Sequence, residues 1–150
     1  MKAYYYLLEQ LQAELLSIPL VTNVTQGSLD DIDNYKQGMF PLSHIIVNSA
    51  SPENNIIRFN VSIVAMDIVD ISKTETTDKF IGNDNEIDVL NTQMIILLRL
   101  YESLNRGSLN ERMEVDGFPT MEHFTERFEN YLAGWTMTLD IIMANEMSIC

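Results

Sequence analysis

The sequence predicts an α+β fold: a mainly antiparallel sheet, with a long strand or hairpin, and two helices packed on one face. Three stretches predict it. Asn55 to Ser72, NIIRFNVSIVAMDIVDIS, is the longest β-type run. In it Ile57, Phe59, Val61, Ile63 and Ala65 alternate with Arg58, Asn60 and Ser62, the period of two that a strand with one buried face requires. Glu86 to Leu104 instead repeats apolar residues every three or four positions, the period of a helix. Trp135, Met137, Leu139, Ile141 and Met143 alternate with Thr136, Thr138 and Asp140 and give a second clean strand. Helix, strand, hairpin, long loop, helix and strands in that order place the helices together on an antiparallel sheet. A chain of 150 residues and 17.2 kDa makes one domain, residues 1–150, large enough to bury a core without staples.

Taken in order, residues 2–17 read as a helix, with Tyr4, Leu7, Leu8, Leu11 and Leu15 on one face. Ser17-Ile18-Pro19 ends it, because the residue before proline avoids the helical region. A short strand is expected over Leu20 to Thr25. Gly27 to Gly38, with Asp30, Asp31, Asp33 and Asn34, reads as a surface loop. Phe40-Pro41-Leu42 leads into the apolar strand His44 to Asn48. Ser51-Pro52-Glu53-Asn54-Asn55 has turn composition and joins that strand to the long one as a hairpin.

The long run is about three times a typical strand of roughly 5–6 residues. Near Met66 its pattern changes phase. Val64, Met66 and Ile68 are apolar on the previously polar face, and Asp67 falls on the apolar one. A bulge would do this, as would a strand that leaves its own core to pair with a neighbouring subunit, or two ordinary strands with a turn between them. Ser72 to Asn85 is a polar connection of 14 residues, long enough to suggest a segment that orders against a partner.

Asn83 followed by Glu86 fits a capping box at the start of the second helix. Ile87, Leu90, Met94, Leu97, Leu98, Tyr101 and Leu104 make its expected stripe, widened by Ile95 and Ile96, and Gly107 stands where a terminating glycine belongs. Arg112 to Val115 reads as a short strand, Asp116-Gly117 as a turn, and Thr120 to Glu129 as another strand with Phe124 and Phe128 inward.

Charge and composition narrow the chemistry. The net charge is −13, from 22 acidic and 9 basic residues. Phosphate binding depends on Lys and Arg, so a nucleic-acid reader is disfavoured. An acidic surface keeps a protein soluble and lets DNA pass without sticking. The lone cysteine, Cys150, allows no intrachain disulfide, and no apolar run reaches the length of a membrane-spanning helix. The amino-terminal stretch reads as mature structure, since Glu and Gln interrupt what a signal peptide needs to be apolar. His44 and His123 lack a metal-ligand partner at i+4 and read as structural residues. No nucleophile elbow and no glycine-rich phosphate loop is present. The acids around Gly82, namely Asp78, Asp84, Glu86 and Asp88, do not match the EF-hand pattern and read as a solvated loop before a helix. No enzyme activity, cofactor or metal is expected.

The whole chain resembles the tail terminator, or tail completion, family of tailed bacteriophages. The Tyr4–Leu16 helix, the Phe40-Pro41 opening of a strand, the long Ile56–Ile71 strand, the Glu86–Leu104 helix and the Trp135–Ile142 strand follow that family's order. FNVSIVAMDIVDIS, TTDKFIGNDNEIDVLNTQM and FTERFENYLAGWTMTLDI are similar in texture to short phage structural proteins. The 14-residue polar loop is long for the family. The resemblance implies a homo-oligomeric ring in the virion neck or tail end, typically hexameric, assembled in host cytoplasm. Its partners would be the tail tube and the head-completion or connector proteins, with DNA passing through and no membrane involved. The phase change and the polar loop point to Met66, Asp67, Ile68, Asp70, Glu75, Asp78 and Phe80 as residues near a subunit interface or the lumen. A small cytosolic adaptor or chaperone-like module, with contacts from its second helix, is the competing class. A carboxylate hydrolase is the third.

Overall fold

The structure, a computed structural model, describes residues 3–28, 39–69, 86–127 and 132–144. Helix α1 (Ala3–Leu16) buries Leu7, Leu11 and Leu15 completely. Behind it, the Ser17 hydroxyl donates to the Glu14 carbonyl at 2.6 Å, satisfying a helix-end acceptor two residues before Pro19. Among the described residues five strands follow: β1 (Asn23–Gln26), β2 (Leu42–Glu53), β3 (Ile56–Ile68), β4 (Met113–Arg127) and β5 (Leu132–Ala144). Helix α2 (Glu86–Arg106) and a 3-10 turn (Ser108–Glu111) lie between β3 and β4. The sheet order is β1-β2-β3-β5-β4. Every neighbouring pair is antiparallel except β1 with β2, which is parallel. The α+β architecture read from the sequence is the observed one.

Both helices pack on one face. Leu7, Leu11 and Leu15 of α1 and Ile96, Leu97, Leu100 and Leu104 of α2 share a core with Phe59, Val61, Ile63 and Ala65 of β3 and Met137, Leu139, Ile141 and Met143 of β5. Full burial of each such side chain contributes about 1.5–3 kcal/mol. The Trp135 indole N–H donates to the Leu90 carbonyl at 2.8 Å and fixes α2 across β5. The buried stripe of α2 is Val89, Gln93, Ile96, Leu97, Leu100, Ser103 and Leu104. It is rotated from the expected one, leaving Ile95 and Leu98 exposed. Gln93 is fully buried with neither side-chain polar atom bonded, at a cost of about 1–3 kcal/mol. The four fully buried aliphatics on the same stripe outweigh it.

The phase change in β3 is neither a bulge nor a departure from the core. Its register against β5 runs unbroken from Ile56↔Ala144 to Ile68↔Leu132. Val64 and Met66 turn apolar because the second face of the sheet carries a core of its own there, with Phe40, Leu42, Phe124 and Leu132. Nor can β3 add to another subunit's sheet over these residues, because β2 and β5 occupy both its edges. The bulge lies in β2, where the register shifts between Val47 and Ser49.

Ser51 and Pro52, expected in the turn, belong to β2. The turn is Asn54-Asn55 alone, with Asn55 at φ 61, a left-handed conformation that Asn tolerates. The strand expected over Leu20 to Thr25 lies at Asn23–Gln26. The two strands expected around Asp116-Gly117 are one strand, β4, with a register shift. Asp116 opposes Asp140 and Thr120 opposes Thr138, so Gly117, Phe118 and Pro119 bulge out opposite Leu139. Gly117 takes φ +74, which is cheap only for glycine. Phe124 is buried as expected, whereas Phe128 and the Asn83 cap lie outside the described residues.

Candidate interaction surfaces

The sequence-predicted interface residues fall in different places. Met66 is fully enclosed in the second apolar cluster, so it belongs to this chain's own core. Its apolar character comes from covering the sheet, not from a partner. Ile68 is half-buried against the same cluster. Asp67 is half-buried on the helix-bearing side, and one carboxylate oxygen accepts the Ile68 N–H at 2.8 Å. Burial pushes its carboxyl above the usual aspartate value, partly offset by that hydrogen bond. Asp70, Glu75, Asp78 and Phe80 lie outside the described residues.

Beyond the second cluster, the face of the sheet opposite the helices is polar. Asn48 donates to Asn60 and to Ser62, both at 2.9 Å, Asn60 donates to Asp140 at 2.9 Å, and Ser62 meets Thr138 at 3.1 Å. Arg58 donates to Glu53 at 3.1 Å and to Asp116 on β4. These bonds tie four strands side by side on a face with two acids, Asp140 and Asp116, directly opposite each other in the register. One arginine serves two carboxylates there, so the face stays acidic.

His44 is buried and structural in this fold. Its Nδ1 lies 2.6 Å from the Thr25 hydroxyl and its Nε2 2.8 Å from the Gly27 carbonyl. The neutral ring with hydrogen on Nε2 satisfies both contacts, since Nε2–H donates to the carbonyl and Nδ1 accepts from the hydroxyl. The ring thus clamps the four-residue β1 onto β2. Burial lowers the His44 pKa below its ordinary 6.5, against the opposing pull of the Gly27 and Ser28 backbone. A lowered folded pKa means the contribution is complete above 6.5 and is lost as pH falls through the folded value. One proton limits the slope to about 1.4 kcal/mol per pH unit. Asp67 has the opposite sign, adding stability as pH falls through its raised value. Unfolding by urea between pH 7 and pH 5 should therefore show a shallower loss in His44→Gln than in the wild type, and equal slopes would reject the assignment.

The helix layer carries an open groove. Ile18, Ile95 and Leu98 form its apolar part, with Glu14, Ser17, Arg99 and Glu102 around it, and its volume is about 460 Å³. Glu102 is held by Arg106 at 2.6 Å. Leu98 is 46% exposed and Ile95 37%. The groove was not foreseen in the sequence, although the run Ile95-Ile96-Leu97-Leu98 is wider than one buried face can absorb. His123 is exposed, with its ring centroid 5.4 Å from that of Trp135. Among the described residues no group of three or more His, Cys, Asp or Glu could hold a metal ion, and no helix is long and apolar enough to cross a membrane. No protein-family model matches the chain, and no curated protein matches it.

Proposed function

We propose that the chain is a non-enzymatic structural subunit of a ring, hexameric by the family resemblance, at the neck or tail end of a phage virion. It would join the tail tube to head-completion proteins and line a passage for DNA. The order of elements carries this reading: α1, β1, a strand opened by Phe40-Pro41, the long β3, α2 and a closing strand pair, which is the order of the tail terminator family. The net charge of −13 supports it, since acidic walls repel passing DNA. A second reading, a small cytosolic adaptor or chaperone-like module, is favoured by the exposed Ile95 and Leu98 of α2, which a partner helix or peptide could cover.

Light scattering over a concentration series at low and high salt separates the two. The ring predicts a defined species near six copies, strengthened by salt because screening weakens repulsion between acidic copies. A strict monomer at every salt concentration, with tail-tube protein present as well as absent, overturns the ring.

A further inference from the structure

We infer that Phe118 of one copy docks into the α1–α2 groove of the next copy, a head-to-tail joint that rests on the ring reading above. Phe118 is 94% exposed, the most exposed of the large apolar side chains described. Burying a phenylalanine ring is favourable, and this chain's own fold leaves that burial unused. The bulge of Gly117, Phe118 and Pro119 explains how the ring is presented. It interrupts β4, an edge strand. A bulge and a proline on an edge obstruct backbone pairing with another sheet, and a bulge re-aims a side chain. Pro52 sits likewise on the outer stretch of β2 that β1 does not cover, since β1 pairs only with Leu42 to Ile45. The outer stretch of β2 and the bulged stretch of β4 are thus blunted for strand addition, and β4 offers a side chain in its place.

The groove suits that side chain. Its 460 Å³ exceeds what one phenyl ring needs, and Ile18, Ile95 and Leu98 give it apolar contact. Arg99 on its rim forms no ion pair among the described residues and can stack its guanidinium on an incoming ring. Anchor and groove lie on different elements, so a contact repeated head to tail from copy to copy closes into a ring when the rotation allows, whereas a reciprocal contact would stop at a two-fold dimer. A single phenylalanine covers far less than the roughly 800 Å² per partner of a stable dimer. Pairs of copies are therefore weak, and closure of the ring supplies the avidity.

Disulfide trapping in a Cys150→Ser background tests the joint with the full chain. Thr120→Cys mixed with Glu102→Cys, which keeps Phe118 and Leu98 in place beside the new thiols, should under a copper-phenanthroline oxidant give a linked pair joined at 120 and 102 by peptide mass. The double variant should give a ladder of multimers. Ser51→Cys with Glu102→Cys is the control, and a yield for the 120–102 pair no higher than the control's overturns the joint. In parallel, Phe118→Ala should weaken self-association at least ~10-fold with an unchanged melting temperature. Rings that form equally well with Phe118→Ala would overturn the joint and leave the ring reading standing. Absence of both cross-link and multimer, even with tail-tube protein, would overturn both.

Discussion

Gly134→Ala is expected to abolish the native fold. A Cβ built at Gly134 would lie 1.8 Å from the Ala65 carbonyl oxygen and 2.9 Å from both the Ala65 carbonyl carbon and the Met66 Cα. All three are backbone atoms of β3, so no rotamer change can clear them. The clash lies where β5 passes β3, the central strand, with β4 pairing on the other side through Phe124↔Gly134. Relief requires β3 and β5 to separate, which breaks a register of 13 consecutive pairs. Ordinary overpacking of a core costs about 1–3 kcal/mol. Here the displaced groups are main chain in the middle of the sheet, so the cost approaches the whole stability of a domain, roughly 5–15 kcal/mol. Circular dichroism and urea unfolding are the measurements. A variant that folds and unfolds within about 1 kcal/mol of the wild type would mean that the two strands lie farther apart at this pair.

The sequence made the helix-bearing face readable wherever one physical cause acted alone. In β5 every second residue from Trp135 to Met143 points at the helices, so the alternation follows burial directly. The same holds for Ile57 to Ala65 in β3. The reading failed where two causes overlapped. Val64, Met66 and Ile68 looked like a change of phase because a second core covers only one end of the opposite face, and a one-dimensional pattern does not say how far a cover extends. On α2, Leu98 is as apolar as Leu97, so composition could not show that Gln93 and Ser103 go inside while Leu98 stays out. Packing against the sheet set that rotation. Asp116-Gly117 carried turn chemistry, and the chain does deviate there. Whether such a deviation reverses a strand or bulges from it depends on the opposing strand, since Asp140 and Thr138 both find partners on β4. The parallel pairing of β1 with β2 left no local signal, because both its backbone ladder and the His44 ring reaching Thr25 and Gly27 join residues distant in sequence. Of the predicted interface residues, Asp67 and Ile68 were located only as half-buried positions. Phe118 and the groove, which the assembly proposal uses, carried no pattern that periodicity could detect.

Met66→Ala is expected to destabilise the isolated chain by about 2–5 kcal/mol, the range for truncating a fully buried methionine. The side chain is completely enclosed by Phe40, Leu42, Val64, Phe124 and Leu132, and its cross-strand neighbours are Leu42 on β2 and Gly134 on β5. Gly134 has no side chain with which to fill the space left behind. The strands on either side are held by their ladders, so the site cannot collapse far, which favours the upper half of the range. The same substitution discriminates between two origins of an apolar residue in a strand. Were Met66 apolar because it met another subunit, truncation would weaken association and leave the unfolding midpoint of the monomer unchanged. Because it covers the sheet of its own chain, truncation must shift that midpoint equally at every protein concentration. Urea unfolding of wild type and Met66→Ala, at two concentrations about a hundredfold apart, reads the difference directly. A midpoint shift that grows or vanishes with concentration would return Met66 to the interface. A constant shift confines the search for subunit contacts to groups that the fold leaves uncovered, such as Phe118, Ile95 and Leu98.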